Sequence, residues 1–275
     1  MSDQPGNKDI LLGRNVPPVT GYAPELLYPI ARAAGREKLG MAEPPHGADL
    51  WHAYELSWLD RTGKPVVHVG RITVPAGTPN MVESKSLKLY LNSLNNERFD
   101  SDEAARQRII ADVGAVTGGR VALDLLAVDD PSLAGTHLDG VCLDDLPAEA
   151  SGLRDPALDL LSLAEGDEMV EEKLYSHLLR SLCPVTGQPD WASVWLHYRG
   201  RALDSNALLR YLLAFRNHHE FHEQCVERMF YDISCACEPD FLHIQAFYTR
   251  RGGLDISPFR SSDPEARPLP RLNRQ

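Results

Sequence analysis

Leu50-Trp51-His52-Ala53-Tyr54-Glu55-Leu56-Ser57-Trp58-Leu59, then Asp60-Arg61-Thr62-Gly63-Lys64, then the alternating run 66–74, is the stretch on which the fold turns. The first run is dense in strand formers, the second supplies turn chemistry, and the third alternates apolar with other residues, so a β-hairpin is predicted. Working outward, a loop with Pro75, Gly77 and Pro79 follows. Beyond it Leu87, Tyr90, Leu91 and Leu94 fall at i, i+3, i+4, i+7, the stripe of an amphipathic helix. A second helix is predicted over 102–116, with Asp100 and Glu103 in capping-box positions and Gly118-Gly119 ending it; 121–128 reads as a strand. Upstream, 1–45 is rich in Pro and Gly and reads as an arm, with a possible short helix over 26–39.

The same order recurs. Residues 172–182 and 191–199 read as strands, Asp204 caps a helix bearing Leu208, Leu209, Leu212 and Leu213, Val226, Met229, Phe230 and Ile233 mark another helix, and 241–249 is a strand. Leu87, Tyr90, Leu91, Leu94 and Asn96 match Leu208, Tyr211, Leu212, Phe215 and Asn217 at a constant offset of 121, which points to a duplication. Gly70-Arg71 and Gly200-Arg201 are both expected to end the second strand. The first helix then begins about nine residues later in the N-terminal copy, and the extra residues are expected to hold Glu83-Ser84-Lys85.

The chain has 275 residues, 28 Lys+Arg against 39 Asp+Glu, and a formal charge of −11. Residues 123–172 hold fourteen acids against the single base Arg154, a net −13, which leaves +2 elsewhere. A broad basic face for a nucleic-acid backbone is disfavoured, though the acidity belongs to one segment. No apolar run approaches the roughly 18 residues that span a bilayer, and no apolar stretch follows a basic start, so a protein that is not exported is expected. The five cysteines, Cys142, Cys183, Cys225, Cys235 and Cys237, read as thiols in a cytoplasm.

Four places could carry chemistry. Cys183 stands at a strand end before Pro184 and Thr186-Gly187, with Asp190 seven residues on; a thiol fixed by a tight loop beside a carboxyl suits nucleophilic addition, and a half-buried cysteine with an ordinary turn aspartate is the plainer alternative. His218-His219-Glu220-Phe221-His222-Glu223 places two histidines at i, i+4, but the zincin glutamate is missing and Cys235-Ala236-Cys237 has the wrong spacing for a zinc knuckle; a solvated helix start explains it equally. Glu83-Ser84-Lys85-Ser86-Leu87-Lys88 puts lysines in a helix's first turns, where a bound anion would relieve an unfavourable dipole arrangement, as would a solvated basic face. Arg250-Arg251-Gly252-Gly253 could bring backbone close to a phosphate or be a plain turn, and no Gly-x-Gly-x-x-Gly follows a strand.

Taken together, Glu83-Ser84-Lys85-Ser86-Leu87-Lys88-Leu89-Tyr90, Cys183 with Asp190, Phe221-His222-Glu223 and Thr249-Arg250-Arg251-Gly252-Gly253-Leu254-Asp255 resemble the NADPH-dependent 7-cyano-7-deazaguanine reductases in their longer, two-module form. The resemblance covers roughly residues 15 to 275. It implies an α+β fold of two tandem tunnelling-fold modules, each ββααββ, with antiparallel sheets, helices on one face and barrel closure by oligomerisation. The implied organisation is an arm over 1–45, a first module over 46–150, an acidic connector over 151–170 and a second module over 171–275.

The resemblance further implies that Cys183 adds to the nitrile carbon to form a thioimide and that Asp190 donates the proton. It implies that Val82, Glu83, Ser84, Phe221, His222 and Glu223 hold the deazaguanine base, either glutamate being able to read the guanine edge. Ser84, Lys85, Arg251 and Gly252 are implied to contact NADPH, two of which are used per turnover. A small 7-deazapurine substrate, no metal, no nucleic acid, no membrane, a homodimer and a cytoplasmic location complete the expectation; excluding tRNA as substrate rests on this chemistry more than on charge. Two other classes remain in view: a metal-dependent purine or pterin hydrolase of the same fold, and a purine-binding module without catalysis.

Overall fold

The computed structural model describes residues 21–275. In chain order its strands are β1 (Pro29–Ala31), β2 (His46–Leu59), β3 (Pro65–Pro75), β4 (Asn80–Val82), β5 (Ala122–Leu126), β6 (Val141–Cys142), β7 (Met169–Ser176), β8 (Arg180–Leu182), β9 (Pro189–Arg201), β10 (Phe241–Tyr248) and β11 (Leu254–Ser261). Its helices are α1 (Ala33–Leu39), α2 (Ser84–Ser93), α3 (Asp102–Thr117), α4 (Ser205–Ala214) and α5 (His222–Cys237). The fold is mixed α+β, and antiparallel pairing dominates it.

The predicted hairpin is β2–β3. Asp60 closes its turn by accepting from the backbone N–H groups of Thr62 and Lys64, and Gly63 takes the positive φ of +87° that the turn needs. A one-residue bulge lies between Ala53 and Leu56, so the buried positions change from Trp51 and Ala53 to Leu56 and Trp58. From this hairpin the sheet extends in both directions, in the order β5-β3-β2-β11-β10-β9-β7-β6, with β8 paired off β9. Among the described strands only the two-residue β6 runs parallel to its neighbour. A separate pair, β1 with β4, sits apart from the main sheet.

One face of the sheet carries the main core. Ile72, Trp51 and Ile256 lie abreast across β3, β2 and β11, as do Leu174, Leu196 and Ile244 across β7, β9 and β10. They pack against Leu87 and Tyr90 of α2, Ile109 and Val113 of α3, Leu208 and Leu212 of α4, and Val226 and Met229 of α5, all buried. Burying each such side chain contributes roughly 1.5–3 kcal/mol, which fixes the helices to that face. On the opposite face Trp195 and Phe247 are covered by Leu272 of the C-terminal stretch.

The two helices that carry the stripe are alike. Both α2 and α4 have ten residues and begin 121 apart, and each is capped by a carboxylate, Glu83 or Asp204. Each stripe tyrosine then donates to an aspartate on the next helix: Tyr90 Oη to Asp112 at 2.7 Å, and Tyr211 Oη to Asp232 at 2.7 Å.

Several expectations are corrected. The strand expected over 172–182 is two, β7 and β8, with His177, Leu178 and Leu179 between them; Ser176 turns the chain by accepting, on its Oγ, from Leu178 N–H. The cap of α3 is Ser101, which accepts from Ala104 N–H, and not Asp100. Gly70-Arg71 is mid-strand, since β3 continues to Pro75, whereas Gly200-Arg201 does end β9. Because the Glu83 and Asp204 caps are equivalent, the extra residues of the N-terminal copy are this extension with β4, and Glu83-Ser84-Lys85 belongs to the shared helix start. In the N-terminal half β5 follows the helices on β3 and the two-residue β6 joins the far edge on β7, while the second half supplies β7, β9, β10 and β11 as four neighbours.

The possible helix over 26–39 resolves into a 3-10 turn (Pro24–Leu26), β1 and α1. Residues 1–20 of the expected arm lie outside the described residues. The part from Gly21 onward is packed, with Ala23 N–H on Ser93 Oγ and Tyr28 N–H on Ser86 Oγ of α2. Among the described residues no helix is long and apolar enough to cross a membrane.

Candidate active site

Cys183 leaves β8 and enters a closed turn. Its N–H donates to Gln188 O at 2.9 Å, Gly187 N–H donates back to Cys183 O at 2.9 Å, and Gly187 holds φ +67°. The thiol is thereby fixed in direction and nearly buried, at 6% exposure. Pairing of Ser181 with Asp190 across β8 and β9 sets the carboxyl beside this turn. A second strap runs from Leu182, whose N–H donates to His218 O and whose carbonyl accepts from Glu220 N–H. That strap delivers Phe221, His222 and Glu223 to the same place.

Phe221 is the N-cap of α5, and His222 and Glu223 open its first turn. His218 lies outside that helix, at the end of a 3-10 turn (Phe215–Asn217), so the two histidines do not share a helical face as expected. His218 instead meets Asp155 and Glu220, at 2.9 and 3.2 Å. The helix start is also not solvated, since Glu223 is 4% exposed. Among the described residues no group of three or more His, Cys, Asp or Glu is placed to hold a metal ion.

From the N-terminal half, β4 ends at Val82 and Glu83 caps α2, its carboxylate accepting from Lys85 N–H at 2.8 Å and Ser86 N–H at 2.7 Å. Ser84 and Lys85 follow in the first turn, and Lys88 stands one turn on, paired with Glu55. The third contribution is the β10–β11 turn. Arg251 and Leu254 exchange backbone hydrogen bonds of 2.8 and 3.1 Å around Gly252 and Gly253, at φ +58° and +79°. Positive φ at both central positions is what a tight hairpin demands. A Cβ on Gly253 would also stand 2.6 Å from the Glu55 carboxyl carbon, so a side chain there would displace Glu55 as well as strain the backbone.

These pieces enclose one open cleft of about 240 Å³. Val82, Ser84, Lys85, Cys183, Asp190, Phe221, His222, Glu223, Arg251 and Gly252 all line it. Glu83 is among the buried residues but not among the lining ones, because its carboxylate is spent on the helix N–H groups beneath the floor. Lining residues to which the sequence reading gave no site role are Ile30, Trp51, Met81, Pro184, Thr249, Leu254 and Ile256; Lys88, the second lysine of the α2 start, lines the cleft as well. Lys88 was visible one turn after Lys85; Ile30 arrives through β1, a three-residue strand with no sequence signal of its own.

The electrostatics separate the two carboxyl groups of the cleft. Burial alone would raise Asp190, but His222, with Nε2 3.2 Å from Oδ2, and Arg251, on Oδ1, outweigh it and hold the carboxyl below its ordinary range. Burial, followed by the neighbouring Asp49 carboxylate, pushes Glu223 up to about 7. One turn after Glu223, Glu227 joins a buried network: Arg36 at 2.7 Å and Arg260 at 3.0 Å, with Arg260 and Arg32 both on Asp49. This network fastens α5 to α1, β2 and β11 and so fixes the helix start.

A cofactor bearing phosphates fits the residues present. Lys85, Lys88 and Arg251 bring cations to the cleft, and Gly252 has open space where a Cβ would stand, so backbone can approach an anion there.

Residues 19–125 match the family described as "Nitrile reductase, 7-cyano-7-deazaguanine-reductase N-term", and residues 189–267 match "QueF-like protein". The NADPH-dependent 7-cyano-7-deazaguanine reductase of Azoarcus sp. (strain BH72) is 51% identical over 261 residues, covering 93% of this chain and 92% of that one. The enzyme of that name from Acinetobacter baumannii is 48% identical over 267 residues, with 96% and 98% covered. Among solved structures, archaeosine synthase QueF-Like in its apo form aligns with 36% of this chain and 96% of its own at 18% identity and a TM-score of 0.31, too distant to bear on the fold. At this identity and coverage, the chain belongs to the family of NADPH-dependent 7-cyano-7-deazaguanine reductases.

Proposed function

We propose that the chain reduces the nitrile of 7-cyano-7-deazaguanine to the aminomethyl group of 7-aminomethyl-7-deazaguanine, the base that enters queuosine synthesis, with Cys183 as the covalent nucleophile. The observation that carries this reading is the convergence on one cleft of a direction-fixed thiol, an ionised carboxylate, a buried glutamate and three cations, within a family whose members bear that activity in name.

A nitrile accepts hydride poorly, whereas a thioimide protonated on nitrogen accepts it well, so sulfur must add first. Cys183 Sγ bonds to the nitrile carbon while its proton passes to the nitrile nitrogen, and Asp190, ionised at neutral pH, is the group to carry it. Asp190 therefore acts as base before it acts as the expected donor. NADPH, when bound, supplies hydride; a nitrile takes four electrons to become an amine, so two NADPH are used per base. Loss of the sulfur after the first reduction returns Cys183 to its thiol. Lys85, Lys88 and Arg251 hold the cofactor's phosphates, and Ser84 and the open backbone at Gly252 border it.

For the base, Glu223 is favoured over Glu83 as reader of the N1–H and amino edge. Its carboxyl faces the cleft, while both oxygens of Glu83 are engaged by α2. Phe221 stacks on the ring, with Val82, Ser84 and His222 at its border. The two halves, 46–150 and 171–275 joined through 151–170, are read as tandem tunnelling-fold modules, supported by the equal helices 121 residues apart and the paired tyrosine–aspartate bonds. A homodimer closing a barrel suits the free edge of β5. A cytoplasmic location suits five unpaired thiols.

The test is to mix protein, cyano base and NADPH without added metal and follow nicotinamide absorbance. Two NADPH consumed per base supports the reading, and consumption that requires zinc, or none, overturns it. In parallel, Cys183→Ala must lose the covalent adduct seen by intact mass; an adduct that persists removes Cys183 from the role.

A further inference from the structure

We infer that Arg251, in addition to meeting the cofactor, is a positioning residue for the step that needs no cofactor: it keeps Asp190 an ionised carboxylate that can take the Cys183 proton. The inference rests on the thioimide reading above and deepens it.

Asp190 is 4% exposed, and an unpaired carboxylate at that depth would take up a proton. Both of its oxygens are occupied instead, Oδ1 by Arg251 Nη1 and Oδ2 by the approach of His222 Nε2. The other nitrogen of the guanidinium fork, Nη2, donates to Gln188 Oε1, and Gln188 O in turn accepts the Cys183 N–H. A single guanidinium thus bridges the strand that holds the carboxylate and the turn that holds the thiol. The Gly252-Gly253 hairpin fixes its backbone, and its side chain is 40% exposed at the cleft, where a phosphate could also reach it.

The groups around Asp190 come from every element packed there. Cys183 lies in the turn after β8, with Ser181 cross-strand from the carboxyl; His222 and Glu223 start α5; Tyr248 ends β10; Lys85 and Lys88 stand on α2 in the same cleft. Tyr248 stacks behind the His222 ring, centroids 4.0 Å apart, and keeps the imidazole in place. A guanidinium stays charged across the working range, so Arg251, seated on Oδ1, makes the ionised state of Asp190 persist there.

The step balances without any redox partner. The sulfur–carbon bond forms, one nitrile π bond is replaced by N–H, and the proton comes from the thiol by way of Asp190, which ends as it began. A residue that served only the cofactor would have no influence on this step.

The test therefore omits NADPH. Wild type, Arg251→Ala and Arg251→Lys are mixed with saturating cyano base alone, so that base binding by Glu223 does not set the profile, and adduct is followed by quenched intact mass across pH 3–9, with thermal unfolding recorded for each. In Arg251→Ala the adduct is expected to form about tenfold more slowly at neutral pH. Its acid limb is expected to move upward by about one to three pH units, as when a cation leaves a carboxylate. Arg251→Lys, which keeps a charge without the fork, should recover part of both and guards against a misfolded alanine variant. Unchanged rate and acid limb in both variants overturns the inference. A wild-type protein that forms no adduct overturns the thioimide reading itself, an outcome distinct from the first.

Discussion

The start of α3 and the start of α5 occupy equivalent places in the repeat, 120 residues apart, and they have opposite fates. Ser101, Asp102 and Glu103 are exposed and do what helix starts ordinarily do: cap, complement the dipole and, through Glu103, bind Arg106 and Gln107. Phe221, His222 and Glu223 line the cleft, and Glu223 is buried beside an anchoring network of guanidinium groups. The first-turn helices divide the reverse way, since Lys85 and Lys88 reach the cleft while their equivalents, Asn206 and Leu209, do not. The paired helices are alike, and a different helix start reaches the cleft from each half, so one two-sided site is assembled from two one-sided contributions.

The sharpest way to break this comparison is Glu223→Gln against Glu103→Gln. The first should raise the KM for the base by about 100-fold, the loss of charge-assisted hydrogen bonds worth roughly 1.5–3 kcal/mol, and the second should leave it unchanged. Equal effects would mean that the α5 start is not the reader. A smaller effect comes from pH. Free Glu223 titrates at about 7, and it must be ionised to accept two N–H groups, so below that value binding has to displace a proton. Affinity for the base, measured on Cys183→Ala to separate binding from chemistry, should weaken by up to about tenfold per unit as pH falls below 7, and gain little above it. A flat profile would remove Glu223 as an ionised acceptor.

The smallest contrast concerns the shared scaffold. Tyr90→Phe leaves Asp112 its bond from Tyr22, whereas Tyr211→Phe takes from buried Asp232 the phenol that holds it. Tyr211→Phe should therefore cost about 1–3 kcal/mol and Tyr90→Phe about 0.5–1.5, read by chemical denaturation at one pH. Equal costs would mean that the two tyrosine–aspartate pairs are not distinguished by Tyr22.

What was legible in the sequence follows from locality. The stripe at Leu87, Tyr90, Leu91 and Leu94, its copy at Leu208 to Phe215, the β2–β3 hairpin and the Cys183 turn all depend on residues within about ten positions of one another, and each is found as read. The illegible features are those decided at long range. Strand β11 was missed because Pro258 argues against a central strand; its pairing with β10 stops at Phe259, and the Gln275 side chain enters beyond it, donating to Ser257 Oγ at 2.8 Å. The network of Arg32, Asp49, Glu227 and Arg260 joins residues up to about two hundred positions apart, each of which reads alone as a surface charge. In the cleft, motif resemblance named ten of the lining residues, while Ile30 and Trp51 enter through backbone pairings that no local pattern signals.

The pairing of β2 with β11 has a consequence for synthesis. Ala53 waits for Leu254, about two hundred residues later, and at roughly 5–20 residues per second a ribosome needs about 10–40 s to deliver it. Through that interval β5, β3 and β2 can pair, with Leu123, Ile72 and Trp51 abreast, but the far edge of β2 stays unpaired and open to other chains. The strand that closes this edge is also the one whose hairpin brings Arg251 to the cleft, so pairing of β2 and assembly of the site are completed together.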